Sequence, residues 1–282
     1  MVWVREGSEV DRPSWAPVDV DVSRPSSARV YDYYLGGAHN FAVDRAVAEQ
    51  TLRLMPGLDQ VMRLNRAFLR RSVRMLVRSG VTQFLDLGAG IPTAGNVHEV
   101  AQAENPTARV LYVDVDPVAV AHSNTMLAGN ERAAALQADI RDPKRIFDEA
   151  QRGGVLELDR PVAVLMNFVL HFVPDSDDPE GVVAVYRQLM SEGSYLVLSH
   201  AGFDSESDPP SGWASAVDLY DREVSVLHFR RSDRVARLFS GFDLLEPGVV
   251  RLPLWRPDPD EEVPGDAHRY LGFAGVGRKP CR

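Results

Sequence analysis

The stretch Gln83-Phe84-Leu85-Asp86-Leu87-Gly88-Ala89-Gly90-Ile91-Pro92 decides how the chain is read. Its first residues form an apolar run of strand length that passes straight into a glycine turn. Gly88 and Gly90 let the backbone take positive φ and approach a ligand with no Cβ in the way. At the carboxyl edge of a parallel sheet, nucleotide-like ligands dock on such a turn. A second buried run, Arg109-Val110-Leu111-Tyr112-Val113-Asp114, ends in an acid. A carboxylate there can accept from both hydroxyls of a ribose. The two stretches together raise the question of which ribose-bearing ligand is held.

Working outward, strands are expected at about 83–87, 109–113, 133–138, 161–166 and 194–199, each followed by a helical pattern. Asp116-Pro117, Asp142-Pro143 and Asp178-Pro179 each place a capping carboxylate before a proline at the first helical position. Asn96 with Glu99 gives a capping-box start to the helix after the first strand. Five strand-then-helix units in a row imply a parallel sheet covered on both faces. Helices are expected at about 211–223 and, capped by Ser232, at 232–239. Strands at about 242–250 and 269–277 would close the sheet, with a Pro-rich excursion at 253–264 between them. The fold expected is therefore α/β and Rossmann-like, a seven-stranded, mostly parallel sheet with helices on both faces, over residues 81–282. Before it, residues 26–80 read as an N-terminal helical cap, with helices at about 28–35, 44–54 and 59–79. Residues 1–25, rich in Pro, Ser and acids, read as a flexible acidic arm that Trp3 or Trp15 could pin.

Composition narrows the function classes. The chain has 282 residues, 45% of them hydrophobic, and a formal net charge of −9. That length suits one large α/β domain with an appendage. The negative balance argues against nucleic acid as an obligate partner, which needs a basic surface. Cys281 is the only cysteine, so no disulfide framework or thiolate metal cage is expected. The histidines show no metal-ligand spacing, and no metal site is expected. With no signal-peptide pattern and no apolar run of membrane-spanning length, the expected location is the cytoplasm, away from membranes.

The glycine turn also discriminates between ligands. A dinucleotide fingerprint wants a third glycine three residues after Gly90, where Thr93 stands, and Pro92 interrupts the motif. The helix begins only after Asn96, whereas a pyrophosphate needs N–H groups at a close helix start. S-adenosyl-L-methionine has no phosphate and tolerates the looser turn. Gln137-Ala138-Asp139-Ile140 ends the third strand with an acid that can accept from an adenine amine, while the next N–H can reach a ring nitrogen. The fourth strand runs out through Asn167-Phe168 to Val169-Leu170-His171-Phe172, beside where a methyl donor would lie.

These segments resemble a class I S-adenosylmethionine-dependent methyltransferase. More narrowly, the chain resembles a bacterial S-adenosyl methyltransferase family of unassigned substrate. The resemblance rests on Ala28 to Gly37, Asn65 to Arg71, Phe84 to Thr93, Tyr112 to Pro117, Ala138 to Pro143, Leu170-His171-Phe172, Glu246-Pro247-Gly248 and Trp255-Arg256-Pro257. It implies in-line methyl transfer from S-adenosyl-L-methionine to an unidentified, small-molecule acceptor. Asn167-Phe168 departs from the smaller apolar residues of that family. Two alternatives stand beside it. One is a non-catalytic S-adenosylmethionine binder or scaffold, in which Asn167-Phe168 blocks the acceptor side. The other is a nicotinamide-dependent oxidoreductase, against which Thr93 argues.

The cofactor-binding residues expected are Asp86, Gly88, Ala89, Gly90, Asp114, Val115, Asp139, Ile140, Asn167, Asn65 and Tyr33. Asp86 either braces the loop or contacts the ligand. Asn65 and Ser72 interrupt the apolar face of the 59–79 helix, and a buried amide must find a partner. It either bonds within the core or faces the amino-acid end of the cofactor. Tyr31, Tyr33 and Tyr34 form either a packed cap or a lid with a hydroxyl aimed inward. Arg63, Arg66, Arg70 and Arg74 make a stripe on the opposite face, read as solvated. His171 is the candidate catalytic base, and His200 is a second histidine on the same edge; each is otherwise a structural hydrogen-bonding group.

Overall fold

The apolar runs do assemble into one sheet. In the computed structural model, residues 21–281 are described, apart from 93–94, 206–208, 260 and 268–269. Most of the acidic arm, with Trp3 and Trp15, and the position of Thr93 lie outside the described residues. Strands β1 (Gln83–Leu87), β2 (Arg109–Asp114), β3 (Ala133–Gln137), β4 (Ala163–Asn167) and β5 (Tyr195–His200) pair in parallel. The sheet is completed by β6 (Asp243–Leu244), β7 (Val250–Arg251) and β8 (Phe273–Arg278). The order is β3-β2-β1-β4-β5-β8-β6, with β7 also on β8, and β8 runs antiparallel to β5. The chain leaves β1 toward one edge and returns through β4 toward the other. A crevice opens where such connections diverge, at the carboxyl ends of the strands.

Among the described residues eight strands form rather than seven. The strand expected over 242–250 is broken into β6 and β7 by the Glu246-Pro247-Gly248 turn, whose Glu246-Pro247 bond is cis. Pro247 has no N–H to give to a ladder, so the run cannot continue on β8.

Helices α4 (Val97–Glu104), α5 (Pro117–Met126), α6 (Pro143–Gly153) and α7 (Pro179–Leu189) cover the faces of the sheet. The three Asp-Pro starts work as expected. Asp116, Asp142 and Asp178 each accept a backbone N–H from the first turn of their helix. After β5, the described residues form the α-helices α8 (Trp213–Glu223) and α9 (Ser232–Arg237). Ser232 does not cap α9. It is the first helical residue, and its N–H goes to Asp204 Oδ1 at 2.9 Å.

The N-terminal helices α1 (Ser27–Tyr34), α2 (Ala42–Leu54) and α3 (Leu58–Arg78) lie over the crevice. Phe68 and Leu76 on α3 share one core with Phe84 of β1 and Leu165 of β4. Arg29 pairs with buried Asp44 at 2.9 Å, and Ser26 Oγ donates to Asp116, tying the cap to the start of α5. Val22 is buried in a small cluster with Phe41, Ile91 and Val118, so the chain is packed before α1 begins. Helix α8 packs against α2 and continues the roof.

Arg71 anchors α3 to the C-terminal segment. Its Nη1 donates to both Glu261 carboxylate oxygens at 2.7 and 2.8 Å. Its Nε and Nη2 reach the carbonyls of Trp255 and Leu252 at 3.2 Å. Replacing Arg71 by Met leaves these acceptors unmatched and is expected to cost about 2–4 kcal/mol. Urea denaturation checks this; an unchanged midpoint and slope would show that the tie adds nothing.

Candidate active site

A cavity of about 390 Å³ lies at the carboxyl ends of β1, β2, β3 and β4, roofed by α1–α3 and α8. Its size is in the range of small-molecule sites. One wall is the glycine turn. The N–H groups of Gly88 and Ala89 both donate to Val113 O, at 2.8 and 3.1 Å, which carries β1 into the turn. Gly88 has φ +67°, and a Cβ on it would lie 2.3 Å from Val169 Cγ2. Only glycine allows that approach. Gly90 has φ +65° and faces open space.

Asp114 stands at the end of β2. Its Oδ2 accepts from Gly90 N–H at 2.7 Å and its Oδ1 from Asp116 N–H at 2.8 Å. Each oxygen keeps a second lone pair for a ligand. Bracing a turn and facing a ligand are therefore compatible for this group. Burial pushes its pKa up to about 6, against the lowering effect of the two N–H bonds.

Asp86, on β1, is buried and lines the same cavity. No described residue hydrogen-bonds its carboxylate, so it does not brace the loop. Burial pushes its pKa up to about 7; Arg66 opposes that rise and Asp114 adds to it. Arg66 departs from the expected solvated stripe. It is 9% exposed, lines the cavity, and donates to Asn96 Oδ1 at 3.1 Å, while its Nε is buried with no partner. The rest of the stripe is more conventional. Arg63 pairs with Asp59 and Arg74 with Asp258, while Arg70 is half-buried beside Gly95.

Asp139, Ile140 and Val115 line the far end. Val115 is 66% exposed, an apolar side chain left open at the rim. Arg141 holds the Asp139 carboxylate at 2.6 Å and also reaches Asp177 at 2.6 Å. That guanidinium lowers the pKa of Asp139, and any adenine amine would share the carboxylate with it.

A chain of side-chain bonds crosses the middle. Asn65 Nδ2 donates to Tyr31 Oη at 3.0 Å, and Ser199 Oγ donates to Asn65 Oδ1 at 2.6 Å. Asn65 is thus satisfied by side chains while lining the cavity. Ser72 instead back-bonds to Leu69 O at 2.9 Å. Asn167 lies within 3.4 Å of the Ser199 hydroxyl, and its Nδ2 is buried without a partner. Tyr33 is a correction. It points away from the cavity, and its hydroxyl meets Glu49 at 3.1 Å on the surface. Tyr31 and Tyr34, on the opposite face of α1, line the cavity instead.

The two histidines separate. His171 lines the cavity with Nδ1 buried and unpartnered. Burial, then His200 and Arg230, hold its pKa well below the usual value. His200 is structural. Its Nδ1 lies 2.8 Å from Ala201 O, a carbonyl that can only accept, so Nδ1 carries the proton. Its Nε2 then accepts from Arg230 Nη1 at 2.8 Å. Arg230 also donates to the carbonyls of Leu170 and Val173 and to Asp175, clamping the turn that carries His171. No sequence pattern pointed to Arg230. Among the described residues, no three His, Cys, Asp or Glu side chains converge as metal ligands. No helix among them is long and apolar enough to cross a membrane.

A family model described as S-adenosyl methyltransferase matches residues 13–280. The chain belongs to that family. It is similar to a candidate methyltransferase from Thermobifida fusca YX, with 38% identity and a TM-score of 0.87 over 95% of this chain and 100% of that one. It is similar also to a DUF574 family protein from Streptomyces avermitilis MA-4680, with 34% identity and a TM-score of 0.86 over 92% and 99%. An O-methyltransferase family protein from Burkholderia thailandensis shares the fold at 14% identity, with a TM-score of 0.50 over 82% and 63%. Comparison with curated proteins gives no match.

The raised pKa of Asp86 has a consequence for the ligand-free protein. A carboxyl that binds its proton more tightly when folded contributes stability that is complete below its unfolded pKa. That contribution is lost as pH rises through about 7. Asp86→Asn removes the titration. Relative to wild type, the variant should gain about 1–3 kcal/mol between pH 4 and pH 8. Urea unfolding at both pH values measures this; a difference independent of pH would refute the burial of an ionisable Asp86.

Proposed function

We propose that this member of the S-adenosyl methyltransferase family binds S-adenosyl-L-methionine in the cavity and transfers its methyl group to a small-molecule acceptor. The observation that carries the reading is the Arg66–Asp86 pair. A guanidinium and a carboxyl group line the same cavity, one with an unpartnered Nε and the other with no hydrogen bond from a described residue. An isolated buried charge is costly. The carboxylate and ammonium of a free amino-acid end match the two groups, with Arg66 on the carboxylate and Asp86 on the ammonium.

The other residues take roles along the same molecule. Asp114 accepts from the ribose hydroxyls with its remaining lone pairs. Asp139 and the Ile140 N–H meet the adenine edge, and Val115 covers the ring. Gly88, Ala89 and Gly90 give a wall without side-chain bulk, and Asn65 and Asn167 flank the reacting end. Bound there, S-adenosyl-L-methionine supplies an activated methyl carbon, whose bond to sulfur breaks with the electron pair left on sulfur as an acceptor lone pair forms the new bond. The protein's main contribution is then orientation. A hydroxyl acceptor also loses a proton, which would pass to solvent water through the mouth of the cavity, while the unprotonated ring nitrogen of His171 accepts the hydrogen bond that orients the hydroxyl.

The competing readings find less support. Phe168 lines the cavity, which keeps a volume of about 390 Å³ beside it. Its ring packs against Gly272 and edge-on to His171. The start of α4 is not open to a pyrophosphate, because the His98 N–H donates to Tyr112 Oη and the Asn96 N–H to Glu99, each at 2.8 Å. A cytoplasmic site of action belongs to the same proposal and rests on the single cysteine.

Calorimetry with S-adenosylmethionine and with 5′-methylthioadenosine, which lacks the amino-acid end, tests these roles. Asp114→Ala should weaken both ligands about ten- to a hundred-fold, as for loss of hydrogen bonds to a charged group. Arg66→Met should weaken S-adenosylmethionine by a similar factor and leave 5′-methylthioadenosine unchanged. Failure of the wild type to bind S-adenosylmethionine would refute the function; equal losses for both ligands in Arg66→Met would refute the charge-pair assignment.

A further inference from the structure

We infer that the acceptor is an uncharged, ring-bearing molecule with one polar oxygen, held between the cap helices and α8. This rests on the donor occupying the strand edge. The charge distribution in the cavity carries the first half of the argument. Its charged lining residues are Asp86, Asp114, Asp139 and Arg141, which belong to the strands and the turns that follow them, and Arg66, on α3. The wall built by α1, α2 and the segment from Ala201 to Leu271 contributes no charged residue among those described. An ionised acceptor entering there would lose water and meet no counter-charge, which is costly. An uncharged apolar one would gain from the burial.

The aromatic groups give the shape. Trp213 lines the cavity and is held by Phe229 at 4.6 Å and by Phe203 at 5.0 Å between ring centroids, both edge-on. A ring fixed by two others presents a rigid surface against which a flat molecule can pack at little entropic cost.

Tyr34 supplies the polar point. It is 5% exposed and lines this wall, and its hydroxyl has no hydrogen-bond partner. Thr51 lies beside it, sends its own proton to Val47 O at 2.9 Å and can only accept, so the lone pairs of the tyrosine oxygen are left unmet. Burial pushes the tyrosine pKa up to about 12, so the hydroxyl stays neutral and can donate. Leaving a buried hydroxyl unmet is unfavourable. One oxygen on an otherwise apolar ligand removes the penalty.

The test separates the acceptor from the donor. Binding of S-adenosylhomocysteine is measured first, by calorimetry, on wild type, Tyr34→Phe and Trp213→Leu. All three should bind it equally. With the site saturated by S-adenosylhomocysteine, 2-naphthol, 2-naphthoate and 2-naphthylmethylammonium are then titrated at neutral pH. The neutral probe should bind at least about tenfold tighter than either ion. Tyr34→Phe should weaken 2-naphthol about fivefold, as for one lost hydrogen bond, and Trp213→Leu should weaken it as well. The acceptor class is overturned if a charged probe binds as tightly, if no probe binds, or if Tyr34→Phe leaves 2-naphthol unaffected. Failure of wild type to bind S-adenosylhomocysteine overturns the donor reading and this inference with it.

Discussion

The close approach of Gly88 to Val169 sets the geometry of everything at the strand edge. These residues follow β1 and β4, the two strands between which the direction of winding reverses. A Cβ at position 88 would lie 2.3 Å from the valine methyl, well inside van der Waals contact. Because the glycine is there, the two strand exits can pack together and still leave a turn whose N–H groups point along β2. Val113 O takes two of those N–H groups and Asp114 takes the next, at Gly90. The turn and the acid that ends β2 are therefore one hydrogen-bonded unit. Asp114 cannot move without disturbing Gly90, and the Asp116 N–H fixes its other oxygen. A carboxylate so held loses little freedom on meeting a ligand, which is the sense in which the site is preorganised.

Around that unit the fold tolerates groups that a purely structural core would not keep. The Tyr34 hydroxyl, Arg66 Nε, Asn167 Nδ2 and His171 Nδ1 are all buried without a partner, and all four residues line the same cavity. Native interiors satisfy nearly every such atom. Asp32 Oδ1, Arg234 Nε and Trp255 Nε1 are unpartnered elsewhere in the described residues, but the four in the cavity stand where a ligand with its own polar groups would meet them. The same clustering accounts for the raised pKa values of Asp86 and Asp114. Both carboxylates sit where water is scarce, and only a bound cation or hydroxyl would restore their preference for the charged form.

What could be read in the sequence was local. Strand runs and the three Asp-Pro caps depend on neighbours within one turn, and they stand where the pattern put them. What could not be read depends on packing between distant segments. Arg66 lies on the polar side of a helical wheel, so its composition pointed to solvent. A roof formed by α1 and α8 over the crevice turns part of that side inward, and the long side chain reaches Asn96 at the start of α4. Tyr31 and Tyr33 differ by two positions on α1, which points them to nearly opposite sides. The periodicity of so short a helix did not say which side was covered. Asp204 caps α9 from 28 residues away, a partner that no local motif announces. The broken closing strand is the exception, because Pro247 stands in the sequence and its missing N–H is a local signal.

The histidine pair shows how far position and chemistry can diverge. His171 and His200 both leave the carboxyl edge of the sheet, with ring centroids 5.9 Å apart. Arg230 decides between them. By donating to His200 Nε2 it uses that ring's lone pair, and by clamping the carbonyls of Leu170 and Val173 it fixes the turn that presents His171. Its positive charge, with burial, makes an imidazolium at His171 unfavourable. His171 therefore keeps a free lone pair at neutral pH and cannot hold a proton for long. Such a group can receive a hydrogen bond and orient a hydroxyl, but it is a poor terminus for the proton. In the proposed reaction the sulfonium already supplies the driving force for transfer. A weakly basic histidine that aims the acceptor is then sufficient, and the barrier is lowered mainly by alignment of the two reacting atoms.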